Sequence, residues 1–404
     1  MAKMNREERP SPAREKGRGA DPVAHDLAQL AKLGAYSPQA AHALIWANPS
    51  LESPAVQKQL GITLKTKPAV FLEALSRNLS KAYLTYVARH QEFLKQFPQG
   101  FAAIPFSGSV TLDSAQSIID EIEAKAGTMK RTLPQTKIDL IGNRVWALRD
   151  QHGTPTCVAY AAAACLELKE ARKGSPSTKS PRYSSRQLYR NMRRFGFTQN
   201  LQSALWEAGG AKFEFTRGAL LTDGVILEEF CRDFYEPADW SAVKADFDAV
   251  APQITAKAKK PYPKPAYFAD YLKGPRKAGE ALRVFGELQQ GRAVGVAAPG
   301  FADQKAIEKS IWRSPDFWLT GLLPAPLATQ QVGDTGHAVC IVGFLPNTAL
   351  PAFLPKDPFG GYFAFRNSWG DIRFGRDSPV GLSPGYGLMP ARIVEYFALE
   401  AISF

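Results

Sequence analysis

Cysteine is scarce in this chain. Of 404 residues only four are thiols, Cys157, Cys165, Cys231 and Cys340, and no two of them form a Cys-x-x-Cys pair. Cys157 and Cys165 fall on one predicted helix, too far apart to bond. A disulfide scaffold is excluded, and a reducing compartment is expected. Histidine is equally sparse: five residues, with no His-x-x-x-His or similar spacing. That argues against a metal site, and nothing calls for a cofactor. No run approaches 18 apolar residues, so no membrane helix is expected. The opening MAKMNREERPSPAREKGRG lacks the apolar stretch of a signal peptide. A cytoplasmic protein is expected, with export by a non-classical route left open. Acidic residues are the minority, 38 against 50 basic ones, for a formal charge of +12. Such an excess favours acidic partners. With no nucleic-acid motif beside it, it is read as a solvated basic surface.

Apolar residues are plentiful, 45% of the chain with 11% aromatic, enough for a sizeable core. Residues 1–24 are charged and rich in Pro, Gly and Arg, and are expected to be a disordered basic tail. Residues 25–130 read as helical. Ser37-Pro38 and Ser53-Pro54 resemble N-cap and first-turn pairs. Lys67 to Phe97 has apolar residues at helical spacing, and Asp113 to Lys125 gives a further helix. No catalytic constellation stands there; a recognition or scaffold module with its own protein partner is expected, and an inhibitory propeptide is the alternative. Residues 131–404 form the second domain. Helical segments come first, among them YSSRQLYRNMRRFGF with Leu188, Tyr189 and Met192 inward. A surface excursion is expected over 256–276 and a helix over 278–289. Strands follow: 293–298, 337–344, 362–369, and 386–389 with 393–399. Pro-containing loops at 300–330 and 345–360 read as rim insertions.

The chemistry centres on LRDQHGTPTCVAYAAAACLELKEARKG, residues 148–174. It reads as a loop entering a buried helix, with Thr154 as N-cap, Pro155 first and Cys157 in the first turn. A helix N-terminus favours thiolate over thiol. Taken alone, Cys157 would be a small buried hydrophobe. Two later pieces change that. In GHAVCIVGF, His337 stands at the start of an apolar strand. In RNSWG, Asn367 ends a strand, with Trp369 two residues on. Thiol, imidazole and amide together make a nucleophile, its acid/base partner and the group that orients the ring. Trp369 would shield that contact from water. The backbone N–H of Cys157 and the side-chain amide of Gln151 would hold the oxyanion.

This ordered set resembles the papain family of cysteine peptidases. DQHGTPTCVAYA is similar to the family's Gln-x-x-x-x-x-Cys helix entry, most of all in its bacterial branch. GHAVCIVGF and FRNSWG resemble its Gly-His-Ala-Val strand and its Lys/Arg-Asn-Ser-Trp-Gly turn. YSSRQLYRN and GVILEEF are softer matches, and the likeness spans about Lys137 to Phe404. It implies an α+β fold of two subdomains, one helical and carrying Cys157, one β-barrel-like and carrying His337 and Asn367. It also implies hydrolysis of a protein or peptide substrate. Gly209 and Gly210 would correspond to the family's substrate-backbone-binding glycines. Val158 departs from the family's usual Trp, and the spans from Cys157 to His337 and on to Asn367 are longer than usual. Arg89 and Phe93 fit two positions of the family's pro-helix, while Thr85 and Gln96 fail two others. A catalytically silent binding module, and a thiol-dependent transferase or deamidase, are the alternative functions.

Overall fold

The computed structural model describes residues 22–33, 41, 45, 49–71, 114–142, 148–151, 154–173, 181–198, 211–231, 233, 266–268, 276–302, 310–313, 315–328, 330–352, 354–370, 374–378 and 380–404. The chain divides into two compact units, residues 1–81 with 351–353, and the remainder.

In the first unit, helix α1 spans Pro22–Ala31 and α2 spans Pro54–Leu60. Ser53 is the N-cap of α2 and Pro54 its first residue, as the Ser-Pro pair predicts. Gly61 closes α2 at φ 68°, a left-handed turn that a β-carbon would strain. Buried Asp26 accepts from the backbone N–H groups of Lys65 (2.7 Å) and Thr66 (3.0 Å). Burial alone would raise its pKa. The hydrogen bonds from Thr66 and Lys65 outweigh burial and hold it below the ordinary value. The other N-terminal helices read from sequence, at Ser37-Pro38 and across most of 67–97, lie outside the described residues.

The second unit holds α3 (Ala115–Ala126), β1 (Ile138–Asp139), α4 (Cys157–Lys173), α5 (Ser185–Thr198), α6 (Phe213–Thr222) and β2 (Ala266–Phe268). Next come α7 (Glu280–Gln289), β3 (Val294–Ala302), α8 (Pro315–Thr320), β4 (Gln331–Pro346), β5 (Gly361–Arg366), β6 (Tyr386–Pro390), α9 (Ala391–Phe397) and β7 (Glu400–Ser403). The strands run β2-β7-β3-β4-β5-β6, with β1 paired to β4, and the named pairings are all antiparallel. It is an α+β fold, with helices α4–α6 on one side of the sheet.

Strand β4 shows why its sequence is an unbroken apolar run rather than an alternating one. Ala338, Cys340 and Val342 face the core shared with α4–α6. Val339 and Ile341 face a second core with α3, α7 and α9. Successive side chains point to opposite faces, and both faces are covered.

Several expectations are corrected. Helix α3, placed with the N-terminal region by a boundary at 130/131, buries Ile118 and Ile122 in the core of the sheet; periodicity shows that a helix has an apolar face, not what covers it. His337 lies within β4 rather than at its start, because the strand begins at Gln331 and runs on through Asp334-Thr335-Gly336. A β-carbon on Gly336 would stand 2.2 Å from the Ala298 carbonyl oxygen, so glycine is there for close strand approach. Residues 393–399, read as strand, are mostly α9, and the closing strand is Glu400–Ser403. Part of the excursion at 256–276 is β2, paired with β7.

Candidate active site

Helix α4 begins at Cys157 itself. The Thr156 carbonyl accepts from the N–H of Tyr160 at 3.2 Å, and Thr154 sits before the helix. The predicted N-cap therefore moves two residues. Thr154 instead turns the loop: its N–H and hydroxyl both donate to the carbonyl of Gln151, and its Oγ1 lies 2.7 Å from Thr156 Oγ1. Cys157 and Gln151 are fully buried. Alanines at 159 and 161–164 let α4 pack against β3 and β4, the strand that carries His337.

Asn367 follows the end of β5, and its Oδ1 lies 2.8 Å from His337 Nε2. The same oxygen accepts from the Ser368 N–H at 2.8 Å. An amide oxygen only accepts, so Nε2 carries the ring hydrogen and Nδ1 the lone pair. His337 has no exposed surface. Burial drives its pKa down to about 4, and the bond to Asn367 only partly opposes this. At neutral pH the ring is therefore a neutral base with its lone pair on Nδ1.

Aromatic rings enclose the imidazole. Trp369 stacks on His337 at 4.3 Å between centroids, and Trp318 stacks on Trp369 at 4.3 Å and 6°. Trp312 meets His337 edge-on at 5.3 Å. Trp312 and Trp318 come from the segment read as a rim insertion. Their signal was two tryptophans in a loop otherwise treated as surface.

The Gln151 segment is pinned to the Asn367 turn. The N–H of Gln151 donates to the Ser368 carbonyl at 2.7 Å, the N–H of Gly370 to that of Arg149 at 3.0 Å. Ser368 Oγ donates to Gln151 Oε1 at 2.5 Å. Gln151 Nε2 donates to the Thr154 carbonyl at 2.7 Å. Beneath lies a buried charge cluster that sequence reading missed. Glu167, on α4, pairs with Arg149 and with Arg366 (3.2 Å), and Arg149 pairs with Asp233 at 2.9 Å. A glutamate inside the apolar run AAAACLE was its signal.

Gly209 and Gly210 lie outside the described residues. Cys165 Sγ, free like the other three thiols, sits 3.3 Å from Cys340 Sγ, a contact across α4 and β4 that spacing did not foretell. Burial, then the Cys340 neighbour, push the Cys165 thiol up. Among the described residues no group of three or more His, Cys, Asp or Glu is placed to hold a metal ion, and no helix is long and apolar enough to cross a membrane.

No family model matches the sequence, and no curated protein matches it. Among solved structures the chain is similar to xylellain, a cysteine protease from Xylella fastidiosa, at 18% identity. That match covers 76% of this chain and 96% of that one, with a TM-score of 0.48. It is also similar to the Carica candamarcensis cysteine protease CMS1MS2 in complex with E-64, at 16% identity. There the match covers 67% of this chain and 97% of that one, with a TM-score of 0.38.

Proposed function

We propose that the chain is a papain-like cysteine peptidase of bacterial type that hydrolyses peptide bonds in protein substrates. One observation carries this: a neutral His337 held through Nε2 by Asn367, under Trp369, on the strand against which the helix of Cys157 packs. Nδ1 of His337 takes the proton of Cys157. The sulfur attacks the substrate carbonyl, and His337 returns the proton to the leaving amine. Water, activated at the same nitrogen, then resolves the thioester. The oxyanion is met by the Cys157 N–H and the Gln151 side chain. Four free thiols support a reducing compartment, in keeping with a cytoplasmic protein. The N-terminal helices serve recognition or scaffolding.

Cleavage of denatured casein by the wild type and by Cys157→Ala tests it. Loss of cleavage in the variant is expected, and equal cleavage would refute it. The complete burial of both Cys157 and His337 favours a second reading, a silent binding module of the same fold. A wild type that cleaves nothing while folding stably would favour that module.

A further inference from the structure

Between α4 and the β5 end lies a small cavity of about 10 Å³, lined among others by Arg149, Tyr160, Glu167, Arg366 and Asn367. That is close to the room one water needs. Three of these side chains carry a buried polar atom with no hydrogen-bond partner among the described residues: Arg149 Nε, Tyr160 Oη and Asn367 Nδ2. Buried polar atoms are nearly always satisfied, so three around one water-sized space call for a common partner. Their capacities match a single water. It accepts from Arg149 Nε and Asn367 Nδ2 and donates to Tyr160 Oη, three bonds in all.

From this we infer that the cavity is a structural water site, and that Tyr160 is a positioning residue acting through that water on the Asn367–His337 pair. The water site stands on geometry alone; the effect on turnover rests on the peptidase reading above. The consequence is directional. With Nδ2 committed to the water, Asn367 turns Oδ1 toward both the His337 ring and the Ser368 N–H. The reversed amide would set NH₂ against two donors and its oxygen toward the cavity. Burial keeps the Tyr160 phenol protonated, its pKa well above the ordinary value. The Arg149–Glu167–Arg366 ion pairs fix the cavity walls.

Tyr160→Phe in the full chain removes one oxygen and keeps the ring. Crystal structures of both proteins are the first test. Water density within hydrogen-bond distance of Tyr160 Oη and Asn367 Nδ2 in the wild type, absent in the variant, is expected. A dry wild-type cavity, or the same water in both, overturns the inference. Kinetics on a peptide substrate form the second test. A fall in kcat of about tenfold, roughly one hydrogen bond, with KM within twofold, is expected. An unchanged kcat overturns the positioning role. A third readout needs no turnover: the Nε2 proton of His337 in ¹⁵N-histidine-labelled protein should exchange faster with solvent in the variant, and equal exchange counts against the role. If the wild type proves inactive, the peptidase assignment falls while the density and exchange results still decide the water.

Discussion

Glu167 on α4 and Arg366 at the end of β5 are ion-paired at 3.2 Å, both buried, with Arg366 immediately preceding Asn367. Arg149, two residues before Gln151, takes the other oxygen of the same carboxylate. One glutamate on the helix of Cys157 thus ties down the segments that carry Asn367 and Gln151. Glu167→Ala leaves two guanidinium groups buried without it. A loss of about 3–5 kcal/mol is expected, read from urea unfolding. A change below about 1 kcal/mol would show that the cluster does not hold the site together.

Two glycines give a matched pair. Gly336→Ala drives a β-carbon to 2.2 Å from the Ala298 carbonyl, so β3 and β4 must part beside His337. A loss of at least about 2 kcal/mol is expected, as for other forced overpacking. Gly286→Ala, in α7 with nothing within 4 Å of its added carbon, should instead gain about 0.5–1 kcal/mol. Thermal unfolding of the two variants reads the contrast. Equal effects would contradict the strand packing.

Acid should destabilise the protein through His337. Its pKa lies near 6.5 unfolded and about 4 folded. Between those values the unfolded chain binds the proton and the native one does not, so stability is fully present above about pH 6.5 and is lost as pH falls toward 4. The loss is on the order of 3 kcal/mol. Urea unfolding from pH 7 to pH 4 should show it in the wild type and not in His337→Gln. Parallel curves would mean that the imidazole is not held neutral.

Asn367→Ala removes the acceptor that fixes Nε2–H, leaving the imidazole free to adopt the other tautomer. A fall in kcat/KM of about tenfold or more is expected on a peptide substrate. An unchanged value would take Asn367 out of the mechanism.

The candidate site was legible where its residues sit in short contiguous motifs. Cys157 stands at a helix entry, and Asn367 and Trp369 share a turn. Local chemistry is enough to mark such residues, and the α+β class follows from the change from helical to strand-like patterning. What escaped depends on contacts distant in sequence. Glu167 meets Arg366 199 residues later, and Ser368 reaches back 217 residues to Gln151. No period or spacing records such pairs. Trp312 and Trp318 were hidden for the same reason. The misread of 393–399 has another cause: the apolar density of IVEYFAL, with Tyr396 and Phe397, fits a buried strand as well as a short buried helix, and only packing on α7 and α3 decides.

The most direct test of an activated Cys157 compares the four thiols inside one native molecule. Iodoacetamide is added at neutral pH, and the alkylation rate of each cysteine is read by peptide mass spectrometry, in the wild type and in His337→Ala. Cys157 should react at least about tenfold faster than Cys165, Cys231 and Cys340, and should lose that lead in His337→Ala. A Cys157 no faster than the buried Cys165–Cys340 pair, or one indifferent to the loss of His337, would contradict the nucleophile assignment.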